Sequence, residues 1–514
     1  MKPNQSKTNP AQTVLIVITW TALTLFLYHY HLKVNISSDS TTMLPVARDL
    51  LSGNLLLRDW TLGTNNFIFT ETIFYCVFRM LGCSWHFMIY VIPAAVISSF
   101  VVYSLYFFIS KEKKITLAHG MAAVFLGIAS KGAAYTLLNP NSHNNLYVFT
   151  AICITLILNY FGSGKRKFLV WYDILAVLMS FSESVTSMVL FAPVGLFCVY
   201  KMIFVREDRK KAGFLLVNSI GAFGVSKLIA KAVVLAGGVY TRGLPIRVVR
   251  PEEYTGRILG FFRQMLILFG VKMSDPNIAS LETMIYNVFI FIVLFSFIII
   301  FLYDLFHFFR LSDIDQILLL IVVVNLGLSV ITDVVVYHRY IVPAFLFGVI
   351  LCSRTLIQCM DRMPFYKIFY GVLTIAVMFI FVMRVKDVME MPKFGQEEKE
   401  VMEEISNRGW GDGYGDFWCA SMPSFYSGFT TDIYPVYTNE EGLYGYEELV
   451  KASWYKERDK HFIITFSRDA SSFIDNERLF EILGRPDDSF VYGSYEVFYY
   501  DKDISDHVLW KGRD

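Results

Sequence analysis

Charged residues are scarce in this chain of 514 residues, where they make up 18% of the sequence with a formal net charge of +1 at pH 7. Hydrophobic residues account for 55% and aromatic residues for 16%. Soluble domains usually carry about 25% charged residues. This composition therefore argues against a soluble enzyme and indicates a polytopic membrane protein. The small net charge also gives no electrostatic signal for nucleic-acid binding.

Cysteine is sparse as well, with seven residues in the whole chain. Most lie within or beside apolar runs, and only Cys419 falls in the C-terminal region, so no disulfide framework is predicted. The sequence contains no HExxH or CxxC arrangement that would favour a zinc site. The first apolar segment is long and lacks a small-residue cleavage site after it, which is typical of a signal anchor rather than a cleaved signal peptide.

What the chain does contain is a series of apolar runs about as long as a membrane-crossing helix, roughly 17–25 residues. They predict a polytopic α-helical membrane protein with about eleven transmembrane helices. The predicted spans lie near 13–30, 86–110, 115–137, 145–161, 168–182, 186–204, 212–236, 282–303, 314–334, 341–356 and 367–385.

The distribution of lysine and arginine predicts the orientation. Clusters at 111–114, 165–167 and 206–211 fall on alternate sides of successive spans. All are cytoplasmic if the N-terminus is inside. The loops 31–84 and 237–280 are then outside, and an amphipathic stretch at 261–270 is expected to lie along the outer membrane surface.

The C-terminal segment 386–514 follows the last predicted span and regains charge. It is predicted to be a small extracytoplasmic α/β domain, separate from a transmembrane domain covering 1–385. Helices are expected at 396–407 and 443–455, with strands at 461–466 and 489–501. The glycine-rich GWGDGYG (409–415) is predicted to be a turn and not a dinucleotide fingerprint, because no strand precedes it.

The outer loop 31–84 contains two carboxylates at predicted helix starts. Asp39 precedes a helix capped by Ser40 and Thr41, and Glu71 precedes a helical run at 72–81. Both acids would lie near positive helix ends, which favour ionised carboxylates. Each could act as a base or as a ligand of a divalent metal ion; the simpler interpretation is that both are helix caps.

Several segments, taken in order, resemble a known family. They are the acid after the first span, the sequence WTLGTNNFIFTETIFY (60–75), SESVTSMVLFAP (182–193) and YHRYIVP (337–343). This order is similar to that of C-type integral-membrane glycosyltransferases that use dolichyl- or undecaprenyl-phosphate sugars, including protein O-mannosyltransferases and the aminoarabinose transferase of lipid A. The resemblance implies that Asp39 is the catalytic base and that Glu71 contributes to an acceptor or metal site.

Further candidates for substrate binding are ionisable residues on the predicted outer side: Arg58, His143, Glu183, Lys227, Lys231 and Arg339 with its neighbour Tyr340. Lys227 and Lys231 are one helical turn apart and could line a cavity. The alternative for each cation is a contact with lipid headgroups. His143 could be a metal ligand or a substrate contact, or it could have no functional role. For Glu183, a packing or substrate role is favoured over catalysis.

The sequence therefore predicts a glycosyltransferase of the cell membrane that moves a sugar from a polyprenyl-phosphate-linked donor to an extracytoplasmic glycan, lipid or protein acceptor, with inversion. Membrane lipids are its surroundings, and no nucleic acid is a partner. Two other classes stay open. One is a transporter or flippase for lipid-linked glycans, although such proteins tend to show internal repeats that are not evident here. The other is a non-catalytic envelope-glycan assembly protein.

Overall fold

The computed structural model describes residues 10–34, 36–109, 131–243, 246–272, 280–334, 337–360, 364–466 and 472–511. Helices dominate these ranges. In chain order the α-helices are α1 (Pro10–His31), α2 (Ser38–Thr41), α3 (Met43–Leu51), α4 (Ile73–Met80), α5 (Trp85–Tyr103), α6 (Lys131–Leu138), α7 (Asn144–Ser163), α8 (Lys167–Ser182), α9 (Ala192–Phe204), α10 (Arg209–Leu235), α11 (Tyr254–Phe269), α12 (Leu281–Phe306), α13 (Asp313–Ile331), α14 (His338–Met360), α15 (Pro364–Glu390), α16 (Gln396–Arg408), α17 (Phe417–Tyr426) and α18 (Asn476–Leu483).

Long apolar helices are the main elements of the described chain before residue 390. Within the described ranges, eight are long and apolar enough to cross a membrane. They are Thr13–His31, Trp85–Phe108, Asn144–Ser163, Ser187–Phe204, Arg206–Leu235, Leu281–Phe306, Asp313–Ile331 and Arg339–Cys359. Each overlaps one of the eleven predicted spans, so the prediction of a helical protein with several candidate membrane spans is confirmed.

The other three predicted spans have different outcomes. Most of the span near 115–137 lies outside the described residues. The span at 168–182 is helical as α8, but its 16 residues make it shorter than the eight candidate spans. The span at 367–385 lies inside the helix α15, which is not among the eight.

The chain divides into two compact units, of which the first contains most of the long apolar helices. Its core includes a close crossing of α12 and α14, where a Cβ on Gly348 would stand 2.7 Å from the Phe297 ring. Only glycine fits at this crossing. The predicted amphipathic pattern at 261–270 is confirmed, because Phe261 and Met265 of α11 are buried whereas Phe262 is half exposed. Its position along a membrane surface stays a prediction.

The second unit consists of Asn35–Ile92, Ile229–Leu244 and Lys393–Asp514. Its strands are β1 (Trp60–Leu62), β2 (Tyr240–Thr241), β3 (Gly413–Gly415), β4 (Ile433–Asn439), β5 (Gly442–Gly445), β6 (Val450–Lys451), β7 (Phe462–Phe466), β8 (Asp488–Tyr492), β9 (Tyr495–Tyr499) and β10 (Val508–Leu509). The first outer loop thus belongs to the same compact unit as the C-terminal segment, and the predicted domain boundary at residue 386 falls just before that segment begins.

A mixed seven-stranded sheet forms the centre of the second unit, in the order β10-β5-β4-β3-β7-β9-β8. The strand β3 pairs parallel with β4 and β7, while β7, β9 and β8 are successive antiparallel neighbours. A smaller sheet has the order β2-β1-β6, with Thr61 of the first loop opposite both Tyr240 and Val450. This sheet holds three distant chain segments together.

The predicted C-terminal elements were correct in part. The helix at 396–407 and the strand at 461–466 are present as α16 and β7. The predicted helix at 443–455 is wrong, because β5, β6 and a short 3-10 helix occupy this segment. The tyrosines and glycines of this segment suit a β-sheet. At Gly445 in β5, an added Cβ would stand 2.8 Å from the Tyr455 ring, so a larger residue would crowd that ring.

Two further predictions differ in detail from the structure. The single strand at 489–501 is a hairpin, since Gly493 adopts φ +55° between β8 and β9. The glycine-rich segment 409–415 is not all turn, because its last three residues form the central strand β3. The alternating aromatic residues correctly indicated β-structure in the hairpin. The turn between its strands depends on one glycine in the left-handed region of backbone conformation.

Candidate functional site

Asp39 lies in the first turn of the short helix α2. Ser37 caps this helix, since its hydroxyl accepts the Ser40 amide N–H at 3.4 Å. The helical start near Asp39 was therefore predicted correctly, but the cap lies three residues before the predicted Ser40. The helix continues after Thr42 as α3 and ends before Gly53, whose φ of +103° favours glycine. The Asp39 residue is half-buried on this framework.

The helix that carries Asp39 packs against the start of α17 in the C-terminal segment. The Ser38 hydroxyl donates to the Trp418 carbonyl at 2.9 Å, which fixes α2 against the start of α17. Phe417 stacks on Tyr446, with ring centroids 4.6 Å apart. We call Phe417, Trp418 and Tyr446 the aromatic group. It is thus a cluster of three rings at the start of α17, next to the helix that carries Asp39.

Tyr446 is a partly buried phenol with several carboxylates nearby, Asp39 among them. Burial raises the pKa of Tyr446 to about 12, and the negative charges of Glu448, Asp39 and Asp416 add to the effect. A nearby carboxylate disfavours the phenolate because like charges repel. The phenol of Tyr446 is therefore neutral at physiological pH and able to donate a hydrogen bond near Asp39.

The Asp416 carboxylate links the start of α17 to the segment 472–473, next to the aromatic group. Its buried carboxylate caps α17 by accepting the Trp418 amide N–H at 2.9 Å, and it also accepts the amide N–H of Phe473 and the Ser472 hydroxyl. Burial raises the pKa of Asp416, while the hydrogen bonds to the carboxylate oppose that rise. These bonds fix Phe417 and Trp418 in place, which preorganises the surroundings of Asp39.

Glu71 is buried in the first turn of a helical segment, and the predicted helical run at 72–81 is present as α4. The difference from the prediction is that Glu71 lies inside a π-helical turn, Ile68–Thr72, directly before α4. Phe67 starts the turn with φ +52° and accepts the amide N–H groups of Glu71 and Thr72. A bulky residue in the left-handed region costs on the order of 1–3 kcal/mol, and such strain and π-turns both concentrate at functional sites.

The segments carrying the two acids pack on each other. Thr72 contacts the Met43 sulfur at 3.5 Å, and the Cys76 thiol reaches the Ala47 carbonyl at 3.7 Å. Both partners belong to α3, which follows the Asp39 helix directly. The first outer loop is thus a packed substructure rather than an extended connection, and it holds Asp39 and Glu71 on adjoining elements.

Two of the predicted substrate-binding residues form a buried pair in the first unit. The Nδ1 atom of His143 bonds to Oε2 of Glu183, and both side chains are almost fully buried. His143 adopts φ +66° just before α7, and Glu183 ends α8. Each was predicted separately, and nothing in their spacing indicates the pairing. The packing or substrate role predicted for Glu183 stays a prediction.

The predicted cations differ in their surroundings. Arg339 lies at the start of a candidate span, with its guanidinium 5.1 Å from the centroid of the Tyr340 ring and its Nη2 donating to the Tyr340 hydroxyl at 3.1 Å. Lys227 and Lys231 are exposed along α10, and the Lys227 ammonium lies over the Phe223 ring. Arg58 is exposed in the turn after α3. Arg339 and Tyr340, which were predicted together from one motif, thus contact each other through their side chains.

A metal site was predicted as one option for Asp39 and Glu71. Across the described ranges, no three histidine, cysteine, aspartate or glutamate side chains come together as metal ligands. Two other acids near Tyr446, Glu447 and Glu448, pair with Arg242, which contacts each of them at 3.2 Å.

Sequence reasoning missed the aromatic group and Asp416 as parts of this site. The segment GYGDFWCASMPSFYSG (413–428) contains Asp416, Phe417 and Trp418. Its acid followed by two aromatic residues is a signal for these three residues, but not for Tyr446. Neither a protein-family model nor a curated protein sequence matches this chain at a significant level.

Proposed function

We propose that this protein is a C-type glycosyltransferase that moves one sugar from a polyprenyl-phosphate donor to an extracytoplasmic acceptor, with Asp39 as the base. The observation that carries the proposal is the position of Asp39, half-buried on a capped helix that bonds to the start of α17, where the aromatic group lies. A base must be held within reach of the acceptor hydroxyl, and rings beside it can orient the sugar.

The proposed reaction needs few groups. The acceptor oxygen attacks the anomeric carbon while Asp39 takes its proton, and the bond from that carbon to the phosphate oxygen breaks. The electron pair leaves with the polyprenyl phosphate, which needs no proton because a phosphate monoester is a stable anion. Attack from the face opposite the leaving group inverts the anomeric centre. Glu71 orients the acceptor, and Arg339 is the leading candidate to bind the donor phosphate.

A divalent metal ion is given no step in this mechanism. The residues that the structure describes assemble no set of three metal-ligating side chains, and the two acids of the first loop have different surroundings. Charge on the leaving phosphate is instead assigned to arginine, whose planar guanidinium matches phosphate geometry.

The proposal includes the topology expected from the sequence. Eleven spans with the N-terminus inside would place the loop 31–84 and the C-terminal segment on the outer face of the cell membrane. Support for placing these two segments together comes from the second compact unit, to which both belong. A lipid-linked donor and an envelope glycan, lipid or protein acceptor would meet there.

The test is incubation of the purified full-length protein in lipid nanodiscs with a panel of radiolabelled polyprenyl-phosphate sugars. Release of polyprenyl phosphate, with transfer of label to an acceptor or to water, is the expected result and identifies the donor. Movement of intact lipid-linked sugar between the two leaflets, without cleavage, would instead favour the transporter. Absence of both across the panel would favour a non-catalytic assembly protein.

A further inference from the structure

The second unit contains a cavity of about 310 Å³ that the proposed reaction does not use. The first loop contributes Arg48, Asp49 and Trp60 to its wall, and the C-terminal segment contributes Asp432, Tyr434 and Trp454. Its volume is at the small end of the range for ligand sites, about 300–1,000 Å³. The cavity is therefore large enough for a small ligand and too small for a lipid chain with its headgroup.

Three aromatic side chains form one wall of this cavity. The Trp454 ring lies 5.2 Å from Tyr434 at an angle of 32°, and 5.1 Å from Trp60 in an edge-to-face contact. Trp60 and Tyr434 are buried, whereas Trp454 is half-buried. Trp454 is thus a rigid aromatic surface supported from behind, on which the C–H face of a ring-shaped ligand can pack.

Two ion pairs form another part of the wall, which also includes the apolar residues Pro45, Phe429 and Ile433. Arg48 pairs with Asp432 at 3.0 Å, and Lys451 pairs with Asp49 at 2.9 Å. Asp49 also accepts the Trp60 indole N–H at 2.8 Å, which links the polar and aromatic walls. Because each ion pair presents both donors and acceptors in a fixed geometry, the cavity is suited to a ligand with several hydroxyl groups.

The charges around the cavity argue against an anionic ligand. The lining residues include two cations, Arg48 and Lys451, and three carboxylates, Asp49, Asp432 and Glu457. Both cations are already paired with carboxylates of the lining. An added phosphate or carboxylate would face an excess of negative charge, whereas a neutral hydroxylated ring would not. An apolar ligand would leave these charged groups without solvent, which is costly.

We infer that this cavity is a binding site for one neutral pyranose ring of a saccharide, stacked on Trp454 and hydrogen-bonded by the Arg48–Asp432 and Lys451–Asp49 pairs. The inference does not depend on the proposed transferase activity, because it uses neither Asp39 nor a lipid donor. A site of this kind would let the second unit hold a glycan chain independently of any reaction at Asp39.

The test is saturation-transfer difference NMR with the full-length protein in lipid nanodiscs, which avoids detergents that carry sugar headgroups. The probes are methyl α- and β-pyranosides of neutral hexoses, 6-deoxyhexoses and N-acetylhexosamines, with methyl glucuronide as the anionic comparison. Saturation transfer to the ring protons of at least one neutral pyranoside is expected, with no comparable transfer to the glucuronide.

A matched pair of tryptophans provides the control. Trp454 and Trp510 are both half-buried and both pack on the same core of the second unit, but only Trp454 lines the cavity. Trp454→Ala should weaken binding by roughly tenfold or more, since one stacking contact is lost. Trp510→Ala should leave the affinity unchanged.

A second variant keeps the test decisive if Trp454→Ala fails to fold. Ser52 is exposed at the end of α3 and lines the cavity, so Ser52→Trp fills the space without removing a core contact. Loss of binding in Ser52→Trp with retention in Asp39→Asn supports the inference separately from the proposed reaction. Absence of any pyranoside signal, a signal that survives Ser52→Trp, or preferential binding of the glucuronide would overturn it.

Discussion

The Asp49 carboxylate joins the first loop to the C-terminal segment of the second unit, and its removal should open the small sheet. It accepts hydrogen bonds from Lys451 Nζ at 2.9 Å, Trp60 Nε1 at 2.8 Å and Asn54 Nδ2 at 2.6 Å. Trp60 is 2% exposed, so Asp49→Ala leaves a buried indole N–H without its acceptor, which costs about 1–3 kcal/mol. Lys451 and Asn54 can reach water and add about 1 kcal/mol. The expected loss is about 2–4 kcal/mol.

Hydrogen exchange measured by mass spectrometry in nanodiscs tests the expected loss of stability in the small sheet itself. Peptides covering β1 and β6 should lose protection by roughly 30- to 1,000-fold in Asp49→Ala, which is the expected loss expressed as an opening equilibrium. The control is Asp501→Ala, which removes an exposed carboxylate elsewhere in the same unit. Unchanged protection of both peptides in Asp49→Ala would refute the idea that this carboxylate holds the small sheet together.

The same carboxylate predicts a pH dependence. Burial pushes the pKa of Asp49 upwards, but hydrogen bonds from Lys451, Trp60 and Asn54 outweigh burial and hold it below the usual value. A lowered folded-state pKa contributes stability above the unfolded value, near pH 3.9, and that stability is lost as the pH falls through the folded value. The difference in stability between the wild type and Asp49→Ala should therefore be full at pH 7 and shrink below about pH 4. A difference that grows on acidification would contradict this assignment.

Two further predictions concern the first unit. Glu183→Ala should destabilise it by about 1–3 kcal/mol, because the buried His143 ring loses its hydrogen bond to Glu183. Glu183→Gln retains a hydrogen bond and should cost less. Thermal unfolding in nanodiscs measures both variants, and equal midpoints would argue against the pair. Arg339→Gln should raise the KM for the lipid donor by roughly 10- to 100-fold with normal membrane insertion, the range expected for one charge-assisted hydrogen bond to phosphate. An unchanged KM in steady-state transfer assays would remove Arg339 from the donor site.

The apolar helices could be predicted from the sequence because length and hydropathy alone specify them. Most residues of Leu281–Phe306 are apolar, and no tertiary contact is needed to identify this helix. The position of Asp39 at a helix start was equally local, since Ser37 and its neighbours determine the cap. Such features depend on adjacent residues, which is where sequence patterns are informative.

The surroundings of the site depend on distant residues instead. Tyr446 lies beside Asp39, and Thr61 pairs with both Tyr240 and Val450, although these residues are far apart in the chain. Strands of two or three residues carry too little periodicity to be recognised, so β1, β2 and β6 were not predicted. The His143–Glu183 pair was missed for the same reason, because each residue was interpreted in its own loop.

The most direct test of the central claim compares sugar transfer by the wild type, Asp39→Asn and Asp59→Asn. Asp59 is exposed in the same loop with φ +67°, a conformation that asparagine tolerates, so its variant removes a loop charge without strain. Release of polyprenyl phosphate should fall by at least about 100-fold in Asp39→Asn, the contribution expected of a general base. Asp59→Asn should match the wild type, and both variants should insert and unfold normally. Transfer by Asp39→Asn at the wild-type rate would contradict the assignment of Asp39 as the base.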